Sequence, residues 1–169
     1  MLIIEGLKDI KAVLRKMEDL RNKIQKYCAD LDIQSLAYPD QKKQISEWLQ
    51  AHHDLALKMT ELKASIQATN LATQITIKVG ENDVTRSIAE WVIRRREIID
   101  LEVQAWSRLS ERGLQDNQIR TQAGDTQVVK VRRYYDSAER DKQMEILTQE
   151  KTNIDKALEI ANATTKLVA

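Results

Sequence analysis

Apolar residues recur every seven positions at the start of the chain, at Ile3, Ile10, Met17, Ile24 and Leu31. Val13, Leu20 and Tyr27 fill positions three later, and Leu7, Leu14 and Cys28 positions four later. Lys, Arg, Glu and Asp lie between them. This stripe predicts a helix packed lengthwise on another helix. Pro39 favours a connection or a helix's first turn over its interior, which places a turn at 32–39. The pattern then resumes with Ile45, His52, Met59 and Ile66 seven apart, and with Trp48, Leu55 and Leu62 between them. A second helix over 40–69 would be about 45 Å long.

The period changes at Thr73–Val79, where apolar and polar residues alternate and β-branched residues dominate. That predicts a half-buried strand. Gly80-Glu81-Asn82-Asp83 reads as a turn, and Thr85 as the N-cap of a third helix over 86–112. This helix carries Ile88, Trp91, Val92, Ile98, Ile99, Ala105, Trp106 and Leu109, with Arg95 and Glu102 at the stripe's margin. Gln118–Gln122 and Thr126–Arg132 flank Ala123-Gly124-Asp125 as a β-hairpin. Asp136-Ser137-Ala138-Glu139 matches a capping box ahead of a fourth helix over 137–162.

Two helix ends share a pattern. Ile66 to Ile75 aligns with Leu158 to Leu167, matching Asn70 with Asn162 and Thr73 with Thr165. Asn tolerates the left-handed conformation that ends helices, and Thr favours the extended chain beyond. These four residues read as structural helix ends. The fold class expected is mainly α: an elongated antiparallel, coiled-coil-like bundle of four long helices with a small β-hairpin element. The chain is read as a single domain over 1–169, with an internal duplication giving similar halves at 1–80 and 81–169.

Composition agrees with long helices: 169 residues hold one Pro and four Gly, and 31% are charged. The net charge of +1 gives the surface as a whole no pull toward nucleic acid or membrane. No apolar run is long enough for a transmembrane helix, and the N-terminal run stops at Glu5, too soon for a secretory signal. A cytoplasmic location is expected, or a virion if the chain is phage-encoded.

The chemistry-bearing residues are few. His52 and His53 lack the Glu three positions earlier that bundle metal sites use, so no metal ligand is assigned. His52 on the heptad stripe reads as a satisfied, partly buried histidine, and His53 as solvent-facing. Cys28, the single cysteine, reads as a buried structural residue. No phosphate loop, nucleophile elbow or zinc-protease motif is present, so no catalytic residue and no cofactor is expected. Arg132 and Arg133 beside Tyr134 and Tyr135 form a basic, aromatic patch. Such a patch can meet nucleic acid, but nearby acidic residues dilute it and favour a solvated face or an acidic protein partner. Trp48, Trp91 and Trp106 read first as core, and any that is exposed becomes an interface anchor.

Several short motifs resemble one family. They are Ile66-x-x-Thr69-Asn70-x-Ala72-Thr73, Val84-Thr85-Arg86-Ser87-Ile88-Ala89-Glu90, Arg94-Arg95, Val129-x-Val131 and Ala161-Asn162-Ala163-Thr164-Thr165. Together they resemble the septicolysin-like family of small bacterial and phage-borne proteins. The chain departs from that pattern near Gly80, where the preceding strand is longer. The family label implies a membrane-active cytolysin and supplies no catalytic residue. The residues themselves favour a non-enzymatic structural or assembly protein: a homo-oligomer, or a subunit beside other proteins in a particle such as a phage virion. Nucleic-acid binding through the Arg-rich segments is the weaker alternative.

Overall fold

The first heptad stripe folds as helix α1, Ile3–Tyr27, and the second as α2, Gln41–Ala72. They run antiparallel. At one end Gln41 Nε2 donates to the Tyr27 carbonyl at 2.8 Å. At the other, Gly6 faces Ile66 and Leu167 so closely that an added Cβ would lie 3.1 Å from Leu167 Cδ1. Asp40 caps α2 by accepting from the Lys43 N–H at 2.9 Å. In this computed structural model, which describes residues 1–120, 124 and 126–168, the chain divides into two compact units. The first comprises Met1–Thr73 with Glu159–Ala169, and the second Gln74–Leu158.

In the first unit the two chain ends meet. Leu2 pairs antiparallel with Lys166, the Ile3 N–H donates to the Thr165 carbonyl, and the Leu167 N–H to that of Met1. Thr69 is 1% exposed and its hydroxyl is fully used. It donates to the Ser65 carbonyl at 2.7 Å and accepts from the Val168 N–H at 2.9 Å. Helix α2 continues past the expected end at 69, so Asn70 is helical rather than a left-handed cap. Asn162 likewise lies inside its helix. The chain turns extended only at Thr73, whose φ and ψ are −89° and 123°.

The second unit begins with strands β1, Gln74–Val79, and β2, Asn82–Ser87, paired antiparallel from Gln74↔Ser87 to Val79↔Asn82 around Gly80, φ +59°. The expected turn at 80–83 is therefore shorter, and Thr85 is a strand residue rather than an N-cap. Ser87 holds that position instead. Its Oγ accepts from the Glu90 N–H at 3.2 Å, while the Glu90 carboxylate accepts from the Ser87 N–H at 2.8 Å. The third helical stretch is α3, Ile88–Ile93, a π-helical segment, Arg94–Ile98, and α4, Ile99–Ser107. It ends at Ser107, before the expected 112, and Arg112 and Gly113 farther on both take positive φ, 57° and 75°.

Strands β3, Asn117–Arg120, and β4, Thr126–Val129, pair as expected for the second hairpin, over fewer residues. Its expected turn at 123–125, like Thr121 and Gln122 of the expected strand, lies outside the described residues apart from Gly124, φ +89°. Helix α5, Ser137–Thr164, follows. Asp136 accepts from the Ala138 N–H at 2.8 Å, but Glu139 accepts from Gln143 at its own helix face, so the expected capping box is not reciprocal. The core of this unit is Ile77, Trp91, Ile99, Leu147 and Ile154, with Trp106 and Leu158 packed at its edge. The architecture is mainly helical with small antiparallel two-stranded sheets.

Candidate functional site

Within the second unit the most specific polar arrangement surrounds the π-helical segment. Glu150 is 1% exposed, a carboxylate on the apolar face of α5 between Leu147 and Ile154. A buried charge is tolerated only when paired and hydrogen-bonded. Arg94 supplies this. Its Nε lies 2.5 Å from Glu150 Oε1 and its Nη2 2.8 Å from Oε2. Its Nη1 and Nη2 also reach the Glu102 carboxylate, each at 3.0 Å. The hydrogen bonds to Glu150 and Glu102 hold the Arg94 pKa well above its ordinary value, so the guanidinium stays charged. Arg95 pairs with Asp155 and Lys151 with Asp100 at the surface of the same helices. Arg95 and Glu102 thus lie at the stripe's margin. Arg94, named above only within the Arg94-Arg95 motif, and Glu150, which no motif singled out, make the buried contact. Each charge here is spent on a neighbour, which makes the cluster a structural lock.

A cavity of about 580 Å³ lies between the β1–β2 turn, Gly80–Asn82, and Lys142, Glu145 and Gln149 of α5. Asn153 Nδ2 donates to the Lys78 carbonyl at 3.0 Å nearby, tying the hairpin to α5. Among the described residues no group of three or more His, Cys, Asp or Glu could hold a metal ion. No described helix is long and apolar enough to cross a membrane.

The anchors expected from sequence separate. Trp91 is wholly buried, its Nε1 donating to the Ile75 carbonyl at 3.1 Å, and so serves the core rather than an interface. Trp48 is half-buried in an aromatic cluster with Tyr27 and Tyr38, at ring distances of 5.8 and 5.3 Å. Trp106 is half-buried beside the second unit's core. Arg132 is exposed, Arg133 is paired with Glu111, Tyr134 is 87% exposed, and the Tyr135 ring lies under Arg140. Asn70 Oδ1 is buried without a hydrogen-bond partner, as is His52 Nε2, so His52 is partly buried but not satisfied. His53 is exposed.

The first unit carries the clearest unmet demand. Among the described residues none from 18 to 65 is buried, although α1 and α2 face each other there. Leu20, Ile24, Ile45, Leu55, Met59 and Leu62, all core positions of the heptads, are only half-buried. Two helices can enclose a narrow a/d seam but not a stripe this wide, because the added positions four after each first heptad residue lie beyond what a single neighbour covers. The positions four after the first heptad residue fare worse. Leu7, Leu14 and Leu49 are 38%, 44% and 55% exposed. Cys28 is exposed too, contrary to the buried place expected, because α1 ends at Tyr27 and the thiol sits beyond its last turn. No protein-family model matches the chain, and no curated protein or solved structure is significantly similar to it.

Proposed function

We propose that the chain is a non-enzymatic assembly protein whose helical hairpin α1–α2 joins other protein subunits, first of all further copies of itself. One observation carries this reading: no residue between Met17 and Ile66 is buried, although the apolar pattern over that stretch is that of a bundle. Added helices from a second subunit would complete a coiled-coil-like bundle of four long helices. A subunit of a larger particle, such as a virion, is the setting that fits such a role. The likeness of the two helix ends supports reading the halves as repeats, each a helical hairpin followed by a short strand. Sedimentation equilibrium of the full chain tests the reading. Association with a defined stoichiometry at micromolar protein is expected, and a monomer at every concentration would refute self-assembly.

A further inference from the structure

Strands β3 and β4 pair with each other and with no other described strand. From the end of β4 the chain runs on to α5, and its residues divide by parity. The odd ones are spent on the molecule itself. Val131 is half-buried, and its N–H donates to Asp116 Oδ1 at 2.7 Å. Arg133 pairs with Glu111, and the half-buried Tyr135 ring lies under Arg140. The even ones, Lys130, Arg132 and Tyr134, are exposed, Tyr134 by 87%. They continue the side of the strand that carries Val128, itself 57% exposed.

The acids around this row are each engaged locally. Glu111 holds Arg133, Asp116 accepts from Val131, and Asp136 accepts from the Ala138 N–H at 2.8 Å. Asp116 keeps its negative charge, so it tempers the row without cancelling two cations. Among the described residues neither Lys130 nor Arg132 has an ion-pair partner. The connection from α4 to α5, residues 108–136, holds six Lys and Arg against four Asp and Glu, so in a chain of net charge +1 the remainder is negative.

We propose that the outward row Lys130, Arg132 and Tyr134 binds single-stranded nucleic acid, the two cations taking backbone phosphates and Tyr134 stacking on a base. The site is independent of the assembly reading. Residues two apart on an extended chain are about 6.8 Å apart, so the cations form a short track rather than a point. A basic track beside an aromatic ring holds single strands with little regard to sequence, because every base offers a π-face. A duplex hides those faces and would meet the cations alone. An acidic protein segment would satisfy the cations and leave the Tyr134 ring unused.

Fluorescence anisotropy of the full chain with a labelled oligothymidylate tests the site, with polyglutamate as competitor. Binding should weaken as salt rises from about 50 to about 200 mM. Lys130→Ala/Arg132→Ala should reduce the slope of log affinity against log salt by about 1.4, two phosphate contacts on a single strand. Tyr134→Ala should weaken binding at least about fivefold and leave that slope unchanged. Lys23→Ala/Lys58→Ala, which removes two exposed cations of the first unit, should change neither. No binding at the lower salt would overturn the proposal, as would an equal loss in the Lys23→Ala/Lys58→Ala variant. Full binding by Tyr134→Ala, or polyglutamate competing as well as unlabelled oligothymidylate, would replace it with a site for acidic proteins.

Discussion

Glu5 and Glu90 do the same work at two helix starts. Each carboxylate accepts from the backbone N–H three residues earlier, 2.7 Å from the Leu2 nitrogen and 2.8 Å from that of Ser87. The following residues, Ile3 and Ile88, are both 1% exposed. The likeness extends further. Lys166 follows Thr165 and pairs with Leu2, as Gln74 follows Thr73 and pairs with Ser87. The Thr73 and Thr165 N–H groups each donate to the carbonyl four residues earlier at 2.9 Å. Two junctions built alike support the proposed repeat.

The Glu90 cap gives a pH dependence. Hydrogen bonds from the Ser87 side chain and backbone hold the Glu90 pKa below its ordinary value. The folded chain therefore favours the carboxylate. Its contribution is fully present above the unfolded glutamate pKa of about 4.3 and is lost as pH falls through the lowered folded value. Glu90→Gln should lower Tm at pH 7, and the gap to the unmodified chain should close in acid. A gap independent of pH would contradict the cap.

Arg94 and Glu150 should be strongly coupled. Arg94→Met leaves the Glu150 carboxylate buried without its partner, at a cost of about 3–5 kcal/mol. Arg94→Met combined with Glu150→Leu should recover most of that loss, since a well-packed apolar pair can replace a buried ion pair. Glu102 is 42% exposed, so Glu102→Gln should cost under about 1 kcal/mol. Urea unfolding of the single and double variants reads the coupling. Additive losses would contradict the lock.

Trp91 should be the costliest single core truncation in the second unit. It is completely buried and its indole N–H is satisfied. Trp91→Ala should lose about 3–5 kcal/mol. Trp91→Phe should cost less, forfeiting the hydrogen bond to Ile75 and part of the volume. Thermal melts followed by circular dichroism compare the two.

The helices were legible because the heptads of α1 and α2 keep their period through whole elements. The open apolar positions were legible in part: Leu7, Leu14 and Cys28 share the apolar stripe, but period alone does not say which of its edges a single partner helix leaves open. Ser87 was missed as a cap although it left a signal: Ser87-Ile88-Ala89-Glu90 is a capping-box pattern, which Thr85, with Ile88 three residues on, lacks. The π-helical segment has no propensity signature in Arg94–Ile98. Glu150 did leave a signal: it sits three residues after Leu147 and four before Ile154, an acid on an apolar stripe. Read with Arg94, three residues after Trp91, it foretells a buried pair.

The central claim is that the half-buried hairpin is completed by a second copy. Sedimentation equilibrium of the full chain beside the Leu7→Asp/Leu14→Asp variant tests it most directly. The account predicts twice the 19.5 kDa chain mass for the unmodified protein. It predicts a single chain mass for the variant, with helical content retained. A single chain mass for both, or an unchanged assembly in the variant, would contradict it.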